Sequence, residues 1–325
     1  MEKILSGMRP TGRLHIGHLS VLENWRRLQE EYSCFFFVAD WHALTTSFDE
    51  TGGIKQNTLE MVADWLAVGL DPEKSVIFRQ SEVKEHAELH LIFSMITPLS
   101  WLERVPTYKD QVQQFKDRGK DIMMYGFLGY PLLQAADILM YRADAVPVGE
   151  DQAPHVELTR EVARRFNHMY DPVFPEPKVL LSKVATLPGI DNRKMSKSYA
   201  NDIAIFSETK ELKKLINSMI TDPARIKKDD PGHPEVCVVH KYQQIYRSGE
   251  VAGLEEECRG GRIGCVACKK LLHEVLDGIL SPLREKRMEI KAKPDYVEEV
   301  LRDGAERARK AASETMDLVR QAVRI

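Results

Sequence analysis

Apolar positions in the first two hundred residues switch between two periods. Ile4-Leu5-Ser6 reads as a short strand, followed by a loop from Gly7 to Leu14 and a helix from about Ile16 to Glu31. The unbroken apolar run Cys34 to Ala39 predicts a fully buried strand, with Cys34 as a core residue. Helical spacing returns over 54–69 through Met61, Trp65 and Val68, and Ser75-Val76-Ile77-Phe78 predicts a third strand. Residues 84–96 and about 124–142 read as helices, Ala145-Val146-Pro147-Val148 as a strand and 151–167 as a helix. Strands separated by helices imply an α/β, doubly wound (Rossmann-like) parallel sheet, whose ligands sit at the carboxyl ends of its strands.

Beyond residue 205 the strand pattern fades. Residues 207–220, 241–247, 266–291 and 295–323 carry helical patterning with charged faces, and Pro and Gly gather between them, as in Asp230-Pro231-Gly232-His233-Pro234. The expected division is a catalytic α/β domain over 1–205 and an all-helical domain over 206–325. No apolar run approaches the roughly 20 residues of a membrane span. The N-terminal residues lack the apolar core of a signal peptide, so a cytoplasmic location is expected.

Charge adds little. The formal net charge of −3 does not exclude a nucleic-acid partner, because such a partner needs a basic face and not a basic total. Cysteine says more: four of the five lie within 237–268, and clustering of that kind in a cytosolic chain points to metal or iron–sulfur ligation.

Two short segments carry phosphate chemistry. His15-Ile16-Gly17-His18 opens a helix after a strand and a Gly-containing loop. A helix start offers unpaired N–H groups to phosphate, Gly17 admits close approach, and imidazoles three residues apart share one face. Lys194-Met195-Ser196-Lys197-Ser198 lies in a loop flanked by turn residues, its lysines and hydroxyls suited to clamping pyrophosphate. Taken singly, each is also what a capped helix or a solvated basic loop looks like.

Together, in this order and setting, they match the two signatures of class I aminoacyl-tRNA synthetases, which the chain resembles. The resemblance is nearest to tryptophanyl-tRNA synthetases and covers nearly the whole chain. It is carried by Ser6-Gly7-Met8-Arg9-Pro10-Thr11-Gly12, Ala39-Asp40-Trp41-His42, Leu102-Glu103-Arg104, Gln134-Ala135-Ala136-Asp137 and Gly149-Glu150-Asp151-Gln152 with the helix that follows. Tyrosyl-tRNA synthetases are the near alternative, and a non-catalytic RNA-binding paralogue is a second. Arg9 and Gln134 depart from the commonest bacterial pattern, as does the complete His-Ile-Gly-His, which many members carry in degenerate form.

The resemblance implies ATP-dependent activation of tryptophan and its transfer to tRNA(Trp). His15, His18, Lys194 and Lys197 would act on the phosphates. Arg9, Pro10, Thr11, Gly17, Lys109, Gly149, Glu150, Asp151, Met195, Ser196 and Ser198 would lie along ATP, with Mg²⁺ held mainly by the nucleotide. Glu150 and Asp151 also suit a helix cap. Tyr130, Gln134 and Asp137 share a helix face, and an indole N–H needs an acceptor such as one of these. His42 and Gln152 complete the expected tryptophan pocket.

Cys237, Cys258, Cys265 and Cys268 are separated by 20, 6 and 2 residues, with a single Cys-x-x-Cys pair. That spacing resembles a subset of the family that binds a 4Fe–4S cluster; zinc is the alternative. The nearby Arg259, Arg262, Lys269 and Lys270 suit RNA phosphates at an anticodon-binding surface. A symmetric homodimer is implied by the family alone.

Overall fold

The strand run read from Cys34 is an interior strand of a parallel sheet. In the computed structural model, which describes residues 1–117, 119–181, 187–196, 199–227, 229–293 and 295–325, the strands are Lys3–Met8 (β1), Ser33–Val38 (β2), Ser75–Arg79 (β3), Ala145–Val148 (β4) and Lys178–Leu181 (β5). They pair in parallel in the order β3-β2-β1-β4-β5. Every residue from Cys34 to Val38 is buried, as a strand covered on both faces requires. Ordering reverses between β1 and β4, so the crevice beyond their carboxyl ends is the natural ligand position in such a sheet. Arg9 follows β1 and Gly149 follows β4.

Helices cover the sheet between strands. Ile54–Val68 ends at Gly69, whose φ of 109° suits glycine and lets its N–H reach the carbonyls of Trp65 and Leu66. Trp25 stacks on Phe36 at 4.6 Å between ring centroids and meets Trp65 edge-on at 5.2 Å, joining the flanking helices to β2. The helix read over 124–142 is two, Tyr125–Leu128 and Tyr130–Met140. Pro131 explains the break, because its ring is tolerated in a first turn and not in a helix interior.

Several elements escape the hydrophobic pattern. The helix Pro106–Asp117 has no fully buried residue, although Tyr108, Val112 and Phe115 pack from it against Ile122, Phe127 and Tyr130, and β5 is an edge strand of four residues, too short for its apolar run to stand out. The helices Asp40–Ser47, Leu99–Glu103 and Val251–Arg259 are short. Beyond β5 the helices include Thr209–Ser218, Val238–Tyr246, Cys265–Lys291 and Tyr296–Val323. No described helix is long and apolar enough to cross a membrane.

The chain forms two compact units, and they are not divided at a single point near 205. One comprises Met1–Gly12, Asn24–Lys183 and Lys293–Ile325; the other comprises Arg13–Glu23 and Val184–Ala292. Helix Tyr296–Val323 joins the sheet-bearing unit because its buried stripe is small: Gly304, Ala305, Ala308, Ala312 and Ala322 accompany Val297, Leu301, Met316 and Val319. That stripe lets the helix lie on β3, with Gly304 against the backbone of Ile77. Arg307 adds a bond to the carbonyl of Pro72 at 2.7 Å.

A side chain at Gly304 would collide with the Ile77 peptide. Gly304→Val is therefore expected to destabilise the protein by about 1–3 kcal/mol. A fall in the denaturant midpoint at constant slope checks this; an unchanged midpoint contradicts the close packing.

Candidate functional site

The two phosphate signatures meet within the unit that contains residues 13–23. Leu14 and Ile16, both buried, anchor the segment on either side of His15. The Ile16 N–H donates to the carbonyl of Ile203 at 2.7 Å, and the Ile205 N–H donates to that of Leu14 at 3.1 Å. The helix start is thus stitched to the stretch just after the lysine loop. The rings of His15 and His18 lie 3.9 Å apart at 45°, and the His15 N–H reaches His18 Nδ1 at 3.2 Å.

A single buried side chain shapes the lysine loop. Asn201 donates to Asp191 Oδ1 at 2.7 Å and to the Lys194 carbonyl at 3.2 Å, and its oxygen accepts the Ser196 N–H at 2.8 Å. Met195 is buried, and its Sδ lies 3.9 Å from the position a Cβ on Gly17 would take. The structure therefore brings Gly17 and Met195 together, with His15 and His18 beside them. Lys197 and Ser198 lie outside the described residues.

A second constellation sits in the sheet-bearing unit around Asp137, a carboxylate with no exposed surface. Gln80 Nε2 donates to both its oxygens at 2.8 and 2.9 Å, His86 Nδ1 to Oδ1 at 2.6 Å, and His42 Nε2 to Oδ2 at 2.9 Å. Burial alone would raise the carboxyl pKa, but the hydrogen bonds and electrostatic attraction of His42 and His86 hold it at about 2. His86 Nε2 meets the Tyr141 hydroxyl at 2.7 Å. Phe35 from β2 stacks on Tyr141 at 4.5 Å, and Phe78 from β3 meets Tyr141 edge-on at 5.5 Å.

Tyr130 and Gln134 share the helix face of Asp137, Gln134 half-buried. The Tyr130 hydroxyl bonds Thr107 Oγ1 at 2.7 Å and His155 Nε2 at 3.1 Å. Burial pushes the His155 pKa down to about 4, so this ring is neutral near pH 7. Burial also raises Tyr130, against the pull of Thr107 and of the Arg9 charge. Arg9 is solvent-exposed yet has its pKa lowered by desolvation, the behaviour of a cation in a recess.

The remaining expected residues are less drawn together. Pro10 is buried and Thr11 exposed, its N–H turning back to the Arg9 carbonyl at 2.8 Å. Gly149 precedes a short helical turn, Glu150–Gln152, and a Cβ there would meet Asp151 Oδ1 at 2.8 Å. Glu150 and Asp151 are exposed, and the side chain of Gln152 bonds Asp151 at 2.9 Å. Neither helical start has a side-chain cap at its N-cap position, so the capping role read for this stretch is not seen there. Lys109 is exposed on Pro106–Asp117, and no hydrogen bond or ion pair among the described residues ties it to the pocket.

Sequence reading missed Gln80, His86, Tyr141, Thr107 and His155. Gln80, His86, Tyr141 and His155 are polar groups in buried positions, which is their only signal; Thr107, half-buried, gives none.

The four clustered cysteines converge electrostatically. Burial raises the pKa of Cys237, Cys258 and Cys268, the last to about 11, and neighbouring cysteines add to each shift. Arg225 Nη1 approaches Cys258 Sγ at 3.9 Å, and Gln243 Nε2 approaches Cys268 Sγ at 3.8 Å. The donor set suits a soft metal centre. Among the described residues, however, no three His, Cys, Asp or Glu side chains are arranged closely enough to hold an ion. The basic residues nearby are already engaged: Arg259 with Glu235 and Glu255, Arg262 with Glu256, Lys269 with two backbone carbonyls, and Lys270 with Glu274.

The chain as a whole has known counterparts. The family described as tRNA synthetases class I (W and Y) matches residues 2–281. The chain belongs to that family. Relatives that match over nearly the full length include tryptophan–tRNA ligases. The tryptophan–tRNA ligase of Thermotoga maritima is 55% identical over 99% of both chains, and that of Aquifex aeolicus 44% identical over 99% of this chain and 100% of its own. The crystal structure of tryptophanyl-tRNA synthetase from Campylobacter jejuni, complexed with ADP and tryptophan, matches with a TM-score of 0.87 at 38% identity, covering 99% of this chain and 100% of the other.

Proposed function

We propose that the protein is a tryptophan–tRNA ligase, and that the observation carrying this reading is the meeting of the two signatures at Gly17 and Met195. The tryptophan carboxylate attacks the α-phosphorus of ATP, the bond to the bridging oxygen breaks, and pyrophosphate leaves. A ribose hydroxyl of the tRNA's terminal adenosine then attacks the activated carbonyl, and AMP departs. Such chemistry needs positioning and charge stabilisation more than covalent catalysis. His15 and His18 bear on the phosphates in the transition state, and Lys194 and Lys197 on the departing pyrophosphate. Mg²⁺ accompanies the nucleotide, held mainly by its phosphates.

Arg9, Pro10, Thr11, Gly17, Lys109, Gly149, Glu150, Asp151, Met195, Ser196 and Ser198 line the nucleotide in this reading. Asp137 accepts the indole N–H, with Tyr130, Gln134, His42 and Gln152 around it. An ionised, buried acceptor suits a ligand group that only donates. Tyrosine also presents a donor, so the tyrosine reading is weighed by relatives more than by Asp137: the full-length matches are tryptophan–tRNA ligases.

The later helices, over 206–292, serve the tRNA, and Cys237, Cys258, Cys265 and Cys268 hold a 4Fe–4S cluster that ties their loops together; zinc is the second reading. The protein acts in the cytoplasm, where its substrates are. It forms a homodimer through the apolar side of helix Glu85–Ile96, where Leu91 and Met95, with Leu99 beyond, are 56%, 73% and 61% exposed.

Three measurements test these readings. Pyrophosphate exchange into ATP, screened over all proteinogenic amino acids, is expected to depend on tryptophan. His15→Asn, His18→Asn and Lys194→Ala should each slow it by about a hundredfold; exchange with tyrosine, or undiminished variants, contradicts the reading. Anaerobic protein is expected to carry iron and sulfide with broad visible absorbance, and zinc without iron overturns the cluster. Sedimentation is expected to show a dimer that Met95→Glu dissociates; a monomeric parent refutes the interface.

A further inference from the structure

We propose that Tyr141 and His86, with Gln80 beside them, are positioning residues for amino-acid selection, holding the Asp137 carboxylate in one orientation so that an indole N–H can engage it only from the side of His42. The inference rests on Asp137 being the indole acceptor and concerns what stands behind it.

The hydrogen-bond directions follow from the partners. Gln80 Oε1 accepts the Trp41 backbone N–H at 3.2 Å, which fixes the amide with its nitrogen toward Asp137. The carboxylate has no proton to give, so His86 donates from Nδ1, and in the neutral ring Nε2 accepts the Tyr141 hydroxyl proton. The chain of donors runs one way, from Tyr141 through His86 to Asp137. Phe35 and Phe78 pack on the Tyr141 ring, so its hydroxyl cannot easily swing away.

A carboxylate offers about four acceptor directions. Here the four contacts from Gln80, His86 and His42 fill them. Gln80 and His86 have no exposed surface, whereas the His42 side chain is 10% exposed. An incoming donor must therefore share or displace the His42 bond, and the two inner donors stay. If the inner donors were lost, the carboxylate could rotate or take up a proton and then offer an O–H where an acceptor is needed. The charged and titratable groups facing this centre are His42 from Asp40–Ser47, His86 and His90 from Glu85–Ile96, and Tyr141, itself near Glu85.

The test compares tryptophan with its benzothienyl analogue, in which sulfur replaces the indole N–H, by kcat/KM in pyrophosphate exchange. Tyr141→Phe and His86→Leu are expected to lower the preference for tryptophan about tenfold, the size of one hydrogen bond to a charged group. The loss should appear mainly in KM. His86→Asn, which keeps a donor near Nδ1, should recover most of it. The acid limb of kcat/KM should move to higher pH in His86→Leu, because burial raises the Asp137 pKa once a donor is gone. Asp137→Leu, which removes the acceptor altogether, separates indole recognition from the positioning behind it. If it leaves the preference intact, the indole reading itself fails. If it abolishes the preference while Tyr141→Phe and His86→Leu reduce both substrates alike, the positioning role is overturned. Should His86→Leu not fold, Tyr141→Phe decides.

Discussion

A carboxylate without solvent contact is unfavourable unless its charge is matched, and Asp137 is matched on both oxygens by donors from three separate segments. The arrangement of the sheet-bearing unit follows from that requirement. Gln80 comes from the turn after β3, His42 from the short helix after β2, and His86 from the helix after that turn, so all three arrive from the carboxyl ends of two adjacent strands. The Phe-rich run of β2 and Phe78 of β3 then supply the apolar wall that keeps water out and keeps the donors strong.

The other constellation is built on different physics. The lysine loop has few apolar anchors beyond Met195, and its form depends on Asn201 bonding three backbone or side-chain groups at once. A rigid acceptor suits selection of a side chain, where an ångström matters. Backbone-level stitching between residues 14–16 and 203–205 suits the handling of phosphates, whose charge-assisted bonds need donors held in fixed places.

Much of this was legible in the chain. The buried run at Cys34, the helix opening at Ile16 and the lysine loop announce themselves through periodicity or through residue types that have few other uses together. The Asp137 network did not, because Gln80, His86 and Tyr141 are ordinary residues whose meaning arises only when the fold places them behind one carboxylate. Strand β5 went unread because it is only four residues long, and helix Pro106–Asp117 because Tyr108, Val112 and Phe115 are its few apolar positions among polar ones. The grouping of residues 296–323 with the sheet was silent for another reason: a stripe of glycine and alanine reads as a generic amphipathic helix, and smallness reveals a close backbone neighbour only once that neighbour is known.

That last helix has a bearing on how the molecule comes into being. The face of β3 that it covers is made early in synthesis, yet its cover is made long after it. During the interval the strand presents apolar surface to whatever else is near, as long-range pairings oblige a growing chain to do. Completion of the sheet-bearing unit is thus a late event, set by arrival of a distant segment and not by the speed at which its own strands find one another.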